Sequence, residues 1–492
     1  MAVHHPEVGE FGNYLGLIGR AVDDLLASDM TDALASDIDW QDELSGPLPA
    51  QGLGASSTIE EYLRLVLPHG NRLTSPSSWG WITTGPTTLP TVVAAGAMLA
   101  APQRQFLGAF HQLEELSLEW LGSLCGLGPH MLGVYSSGGS TANLIALGAA
   151  RQHALENAGL DPSSLGLDGR RLAVYASAQA HHTVQRAAGV LGLGRDSVRP
   201  IPVDADRRMD LGALAQALSR DTRAGILPVA VVASAGTTRT GAIDPLRGVG
   251  DLARAHGAWF HVDGAYGLPG ILDDRVAPLY DGLELADSVI TDPHKWLGAP
   301  VGVAATFVRD RAILHRAFTQ EPADYLEGRF SSGDVESSLD DMGIPYYDFG
   351  VELSSPPRGV MVWAILRELG VEGVRARIVA DNDFARHTSA RAHEHASLEV
   401  LAEPVLSICG FRYRTADQLD WDTVNSRILR RLARETPIII SSTFVDGHYV
   451  LRPCFINART TTKHVDEFVE TVVRLGDEIS AEMLVQAHSE AQ

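Results

Sequence analysis

An α/β fold with a mainly parallel central sheet is what this sequence predicts, and three observations carry that expectation. From about Leu132, short apolar runs alternate with stretches of helical period. Strands that alternate with helices need crossover connections, and crossovers produce parallel pairing. With 492 residues, 45% hydrophobic and 20% charged, the chain is long enough to bury a large core without disulfide or metal staples.

Taken in order, the first hundred residues are mostly helical in pattern, broken by Ser/Gly/Pro-rich stretches near Ser45–Ser57 and Pro68–Ser78. Buried strands are expected at Arg171–Ser177, Leu227–Ser234, Ala258–Asp263, Asp287–Thr291 and Val303–Val308, with helices such as Leu211–Ser219 and Leu246–Ala255 between them. Pro322 to Pro357 mixes Gly, Ser, Asp and Tyr without a steady period, and loops of this length are often functional lids. A helical stretch from about Val360 then opens a smaller αβ unit. Its expected strands are Leu398–Ser407, Ile438–Ser442 and Tyr449–Arg452, and Thr462–Glu478 is its closing helix. The predicted division is a helical segment over 1–100, a large domain over 101–358 that carries the loop at about 322–357, and a small αβ domain over 359–492.

Charge narrows the partners. Thirty-nine basic against 61 acidic residues give a net charge of −22. Such a surface repels phosphate backbones and anionic lipid, and no basic patch offsets it, so neither nucleic acid nor a membrane is expected as a partner. Three widely spaced cysteines, Cys125, Cys409 and Cys454, form neither a disulfide framework nor a metal-ligand cluster, so no metal is expected. No apolar run approaches eighteen residues, and the start, Met-Ala-Val-His-His-Pro-Glu, lacks the pattern of a secretory signal. A reducing cytoplasm is the expected setting.

Four local patterns carry chemistry. Thr291-Asp292-Pro293-His294-Lys295-Trp296-Leu297 follows an apolar strand, and a lysine set between His and Trp is poorly placed for a solvated stem. The ordinary reading of a lysine is a surface charge; a partly desolvated one is a nucleophile able to form Schiff bases. His261-Val262-Asp263-Gly264-Ala265-Tyr266-Gly267 ends another strand, where open parallel sheets present their ligand crevice. Asp263 there suits a metal, a cation, or simply a helix cap. Ser136-Ser137-Gly138-Gly139-Ser140-Thr141-Ala142-Asn143 precedes a helical stretch and suits a phosphate, although such turns are more often only caps. Gln179-Ala180-His181-His182 follows the first expected strand, where a histidine is frequently a plain hydrogen-bonded residue. Each pattern is weak alone. Together, a phosphate cradle, a ring-stacking partner, a carboxylate and an activated lysine are what pyridoxal phosphate (PLP) requires.

At these residues the sequence resembles the group II PLP-dependent decarboxylases, the family that contains aromatic-L-amino-acid decarboxylase. The resemblance runs from about Trp79 to Val472. Its motifs appear in order: SGGSTANL (Ser137–Leu144), QAHHTVQRAA (Gln179–Ala188), AGTTRTGAIDP (Ala235–Pro245), HVDGAYG (His261–Gly267), ADSVITDPHKWL (Ala286–Leu297) and LRPCFINARTT (Leu451–Thr461). It implies a fold-type I architecture, like that of aspartate aminotransferase, with a seven-stranded type of central sheet. It further implies α-decarboxylation of an L-amino acid, and a homodimer whose sites are built from both subunits.

Carried over position by position, the resemblance implies that Lys295 binds the cofactor as a Schiff base and that Asp263 pairs with its pyridine nitrogen. Ala265 is expected beneath the ring and His181 stacked on the other face. Gly139, Ser140 and His294 are expected at the phosphate, with Gly138 and Asp292 in the same cofactor-binding set, and Thr238 near the pyridine ring. Trp79-Gly80-Trp81-Ile82-Thr83-Thr84-Gly85 resembles the family's N-terminal segment, which supplies aromatic pocket walls and a carboxylate contact. Trp79, Trp81 and Phe110 are therefore expected around the substrate, and Thr84 at its carboxylate; the plainer reading makes Trp79 and Trp81 ordinary buried aromatics. Asp324-Tyr325-Leu326 matches the loop tyrosine that protonates the α-carbon after CO2 leaves, where related aldehyde synthases carry phenylalanine. Tyr346 and Tyr347 lie in the same loop. Lys295, Tyr325, His181 and Asp263 form the expected catalytic set.

The chain departs from the family's pattern at three places, one of them the loop before Pro357, which is several residues longer than in aromatic decarboxylases. Ser354–Trp363 keeps Arg358 and Trp363 but loses an arginine and a lysine, and LGAFHQLE (Leu107–Glu114) replaces a Ser-Pro-Ala segment. The expected reaction is decarboxylation of an aromatic amino acid to the amine. The alternatives are an oxygen-consuming reaction that yields an aldehyde, another PLP reaction on a specialised biosynthetic amino acid, a metal-dependent hydrolase built on His181, His182, His261 and Asp263, and a non-catalytic protein that keeps the fold.

Overall fold

The structure is a computed structural model and describes residues 10–27, 39–70, 73–100, 108–319, 344–415 and 419–490. Among these residues two sheets organise the chain. The larger has seven strands: β2 (Leu132–Ser136), β3 (Leu172–Ser177), β4 (Val198–Ile201), β5 (Leu227–Ser234), β6 (Trp259–Asp263), β7 (Ser288–Thr291) and β8 (Ala304–Val308). They lie in the order β2-β8-β7-β6-β5-β3-β4, with β8 antiparallel to both its neighbours and the pairs from β7 to β4 parallel.

The five expected strands form the interior, and their apolar residues explain why. β3, β6, β7 and β8 are buried at every position, so each needs apolar side chains on both faces. The two unforeseen strands are the edges. β4 reads Val-Arg-Pro-Ile, and Pro200, which has no N–H to donate, is tolerated where one side of the strand is unpaired. β2 begins with exposed Leu132 followed by Gly133.

The smaller sheet has the order β1-β11-β12-β10-β9, from β1 (Ser78–Trp79), β9 (Leu398–Ala402), β10 (Gly410–Tyr413), β11 (Ile439–Val445) and β12 (His448–Arg452). β1 was not foreseen. It comes from the Pro/Ser-rich stretch before residue 80 and pairs parallel with β11, through Ser78 opposite Ile439 and Trp79 opposite Ile440. β9 stops at Ala402, short of the expected Ser407, because Glu403-Pro404 follows and proline cannot extend the ladder.

Six helices matter for the site. α1 (Glu10–Ala27) and α2 (Thr88–Ala100) precede the large sheet, and α3 (Gly108–Leu124) packs on β2. α4 (Gly139–Asn157) runs behind β5 to β8 with eleven buried residues. α5 (Gly359–Glu394) is broken at Gly370, whose φ of 61° lies in the left-handed region, and α6 (Thr462–Glu490) closes the chain. The first half of α5 enters the main core through Val360, Val362 and Ile365. Its second half enters the smaller core through Ala385 and Ala392, beside Trp79, Phe411, Phe455 and Phe468. Along its length Asp381 is buried and accepts a hydrogen bond from Trp296 Nε1 at 2.8 Å.

The C-terminal ends of β2, β3, β6 and β7 open on one edge of the large sheet, the place where doubly wound sheets bind ligands. The smaller sheet reaches the same edge through the end of β12 and the turn after β1. No helix of the described residues is long and apolar enough to cross a membrane.

Candidate cofactor and substrate site

A cavity of about 500 Å³ lies at that edge. Ser137 to Thr141 follow β2 and begin α4; His181 and Thr183 follow β3; Asp263 and Ala265 end β6; Asp292, His294 and Lys295 follow β7. Thr237 and Thr238 come from the loop after β5, Trp81 and Ile82 from the turn after β1, and Arg452 from β12. Eleven of the cavity's wall residues are ones the sequence singled out, brought together from positions 81 to 295.

Lys295 Nζ is 3.0 Å from Asp292 Oδ2, and His294 Nε2 lies 3.8 Å from the same oxygen. The other oxygen of Asp292 is buried without a hydrogen-bond partner. Gly139 allows this arrangement, because a Cβ there would stand 2.7 Å from Asp292 Oδ2. The first intrahelical bond of α4 runs from Ala142 N–H to Gly138 O at 2.9 Å, so the N–H groups of Gly139, Ser140 and Thr141 precede the ladder at the positive end of the helix. His294 is oriented from outside the cavity by the Val303 carbonyl, 2.8 Å from Nδ1.

Asp263 is held by a chain of polar groups that runs into the core. Asn143 Nδ2 donates to Asp263 Oδ2 at 3.1 Å, and the Ala265 N–H donates to Oδ1 at 3.2 Å. Because the Asn143 amide donates to Asp263 and also to Thr183 Oγ1 (3.2 Å), its oxygen faces His261 Nε2 at 3.0 Å and takes the proton there. His261 Nδ1 then accepts from Ser288 Oγ at 2.8 Å, and Ser288 accepts from Trp259 Nε1 at 2.7 Å. The assignment needs a neutral imidazole. Burial pushes the His261 pKa down to about 4, against the opposing pull of Asp263. His181 is also shifted down, first by burial and then by His182 and Lys295, with Asp263 opposing; its Nδ1 is 2.8 Å from Thr183 Oγ1.

Residues 103–414 match the pyridoxal-dependent decarboxylase conserved domain. The chain is 30% identical over 463 residues to the aromatic-L-amino-acid decarboxylase of Bacillus atrophaeus, covering 93% of this chain and 92% of that one. It is 30% identical over 435 residues to the L-2,4-diaminobutyrate decarboxylase of Rhizobium meliloti (strain 1021), covering 87% and 83%. The crystal structure of Oryza sativa TDC with PLP and tryptamine matches with a TM-score of 0.86 at 26% identity, over 97% of this chain and all of that one. The chain belongs to the pyridoxal-dependent decarboxylase family.

It is therefore a PLP-dependent carboxy-lyase of fold type I, and the cavity fits that cofactor. The start of α4 with its glycine approach suits the phosphate. Asp263, held by Asn143, would suit a protonated ring nitrogen, and Lys295 lies inside the same cavity.

In this decarboxylase several residues expected at the substrate lie off the cavity wall of the single chain. Trp79 is fully buried in the smaller core, against Phe455 and Phe468, and its Nε1 donates to Thr460 Oγ1 at 2.8 Å. Strand alternation points it inward there, and it does not reach the cavity. Thr84 is also buried and off the cavity wall, with its hydroxyl 3.3 Å from the Gly85 carbonyl. Phe110 lies on α3, half-buried against the main core, and is not part of this wall. Tyr325 lies outside the described residues. Tyr346 is sunk into the main core with its hydroxyl on Glu115. His261, one of the four ligands of the metal-hydrolase alternative, has both ring nitrogens engaged in the core. Arg358 is likewise structural, donating to Gly302 O at 2.7 Å and Glu352 Oε2 at 2.6 Å.

Sequence reasoning left Asn143, Thr183 and Arg452 without roles, although all three sit in or beside the quoted motifs. Arg452 is nine-tenths buried or more. It donates to the carbonyls of Thr238 (3.1 Å) and Trp81 (3.0 Å) and to Ser441 Oγ, and among the described residues it pairs with no carboxylate.

Proposed function

We propose that the protein removes the α-carboxylate of an aromatic L-amino acid and releases the amine. The observation that carries this reading is the cavity wall beyond the cofactor residues: Trp81, Ile82 and Val301 give it an apolar mouth, and Arg452 gives it a buried cation. A diaminobutyrate-like side chain needs a carboxylate partner. Of the two carboxylates on the described wall, Asp263 is engaged by Asn143 and the Ala265 N–H, and Asp292 stands beside Lys295 and against Gly139, so both belong to the cofactor-binding set. An aromatic side chain asks only for the apolar mouth.

Bound PLP supplies an electron sink for the pair released as the bond between the α-carbon and the carboxylate breaks. The protein's own groups do the rest. Lys295 Nζ is the amine through which the cofactor attaches. Asp263, immobilised by Asn143 and the Ala265 N–H, keeps a proton on the pyridine nitrogen. Gly138, Gly139 and Ser140 at the start of α4 would hold the phosphate with His294, Asp292 would serve the same cofactor site as the anionic partner of Lys295 and His294, and Ala265, Thr238 and His181 would contact the ring. Arg452 replaces Thr84 as the group that suits the substrate's carboxylate, because it is the guanidinium in the cavity wall. Tyr325, on the sequence match alone, returns a proton to the α-carbon and so favours the amine over the aldehyde. The enzyme acts as a homodimer.

The test is to supply the PLP-loaded enzyme, in air, with pooled L-amino acids and identify products by mass spectrometry. An aromatic amine is the expected product, and Tyr325→Phe is expected to divert output toward aldehyde and peroxide. Consumption of only acidic or diamino substrates would overturn the aromatic assignment.

A further inference from the structure

Trp81 is one of four non-glycine residues among those described with a positive φ, at 54°, and the others are Asp168, Arg207 and Asp446. Left-handed backbone is tolerated by aspartate and is costly for a bulky aromatic. Strain of this kind persists only where the surroundings over-determine it, and it concentrates at functional sites. Here the strained residue stands on the wall of the reaction cavity with its side chain more than half exposed.

Both peptide groups of Trp81 are pinned by one cross-strand pair. Ser441 on β11 lies opposite Arg452 on β12. The Trp81 N–H donates to Ser441 Oγ at 3.1 Å, and Arg452 Nη2 donates to the Trp81 carbonyl at 3.0 Å and also to Ser441 Oγ. The register is enforced two residues earlier, where β1 lies along β11 and Cys454 N–H donates to Trp79 O at 3.0 Å. Gly80, between them, is held so close that a Cβ would sit 3.2 Å from Ile439 Cγ2. The chain thus leaves β11 with little freedom except at Trp81, where the serine hydroxyl captures its amide.

We propose that Ser441 is a positioning residue for substrate selection: its hydroxyl locks Trp81 in the left-handed conformation that sets the indole against the cavity mouth, where it contacts an aromatic side chain. This inference rests on the aromatic reading above and adds the residue that enforces it. Ser441 is not part of the cavity wall and touches the reacting groups only through Trp81 and Arg452. Removing its hydroxyl leaves the Trp81 amide without that acceptor and frees the backbone to relax.

The experiment pairs a spectroscopic and a kinetic measurement on full-length, PLP-loaded enzyme labelled with 5-fluorotryptophan. The Trp81 signal is assigned by its loss in Trp81→Phe. Ser441→Ala is expected to shift that 19F resonance and to lower the kcat/KM preference for an aromatic over an aliphatic amino acid about tenfold, mainly through KM. Ser441→Thr, which keeps the hydroxyl, is expected to restore both. In a Trp81→Ala background, Ser441→Ala is expected to change the preference less than twofold, since the residue it positions is gone. A Trp81 resonance that Ser441→Ala leaves in place overturns the proposal whatever the substrate. Full additivity of the two substitutions overturns it as well. Absence of any aromatic turnover by the wild type sinks the parent reading instead, and the 19F signal then still decides whether Ser441 sets Trp81.

Discussion

Asn143 shows how a single residue determines what its neighbour can do. Its amide stands between the Asp263 carboxylate and an imidazole that burial keeps neutral, and it hydrogen-bonds both. Asn143→Ala removes the donor to Asp263 Oδ2 and the acceptor for His261 in one step. Leaving buried polar groups unpaired costs about 1–3 kcal/mol each. If a cost of that size falls on the step that needs Asp263 fixed, kcat drops by roughly fivefold to 160-fold with little change in KM. Steady-state kinetics on the variant checks this, and an unchanged kcat would show that Asp263 is oriented well enough by the Ala265 N–H alone. The meeting of Lys295, Asp263 and His181 in one cavity was legible from the sequence, because each follows or ends an apolar strand whose C-terminal end lies at one edge of the sheet. The motifs did not separate Trp79 from Trp81. Two residues apart, both would face the same way along a strand; a left-handed turn at Trp81 sends one to the core and the other to the mouth. Arg452 and Ser441 were invisible for a different reason: their significance lies in a cross-strand contact with a segment 360 or more residues earlier.

At the scale of elements, the interior strands were readable since burial on both faces leaves an apolar run, whereas β2 and β4 are edges with polar or glycine positions, and β10 carries Arg412 and follows the missed end of β9. α5 was anticipated from about Val360, but not its break at Gly370 or its reach into both cores. That reach places a carboxyl where none is comfortable. Burial pushes Asp381 up to about 8, with the Trp296 N–H and the Arg377 charge opposing the shift. Its folded pKa lies above the ordinary value of 3.8, so the folded chain keeps a proton that the unfolded chain releases. The stability is therefore greatest below about pH 4 for this group and is lost progressively as pH rises through 8. The slope is about 1.4 kcal/mol per pH unit inside that window. Asp381→Asn, which keeps an acceptor for Trp296, should flatten the fall in unfolding free energy between pH 5 and pH 8 by about that slope. Urea titrations at several pH values measure it; identical slopes for the two proteins would mean that Asp381 is already ionised in the fold.

For the whole molecule, the unresolved question of design is where its remaining apolar surface goes. α1 carries Phe11, Leu17 and Leu26 exposed and has no buried residue, and α2 leaves Val92, Met98 and Leu99 in the same condition. An amphipathic helix that fully buries none of its residues among the described ones needs something else to cover its apolar stripe. A second copy is the economical partner: it is always present at equal concentration, and a two-fold axis lets each patch meet its equivalent without opening a route to fibres. The net charge of −22 opposes this association, so contact must come from apolar burial large enough to overcome the repulsion, and screening by salt should strengthen it. Sedimentation at micromolar concentration is expected to give about twice the 52.7 kDa chain mass, with the fraction of dimer rising as salt is added. Replacing Leu17 and Leu26 together by Asp places two charges on the stripe of α1 and should shift the equilibrium to monomer while far-ultraviolet circular dichroism stays near that of the wild type, because neither residue belongs to either core. A wild-type chain that sediments as a monomer, or a double variant that dimerises undiminished, would leave the exposed stripe of α1 without its assigned cover and the homodimer reading without support from this helix.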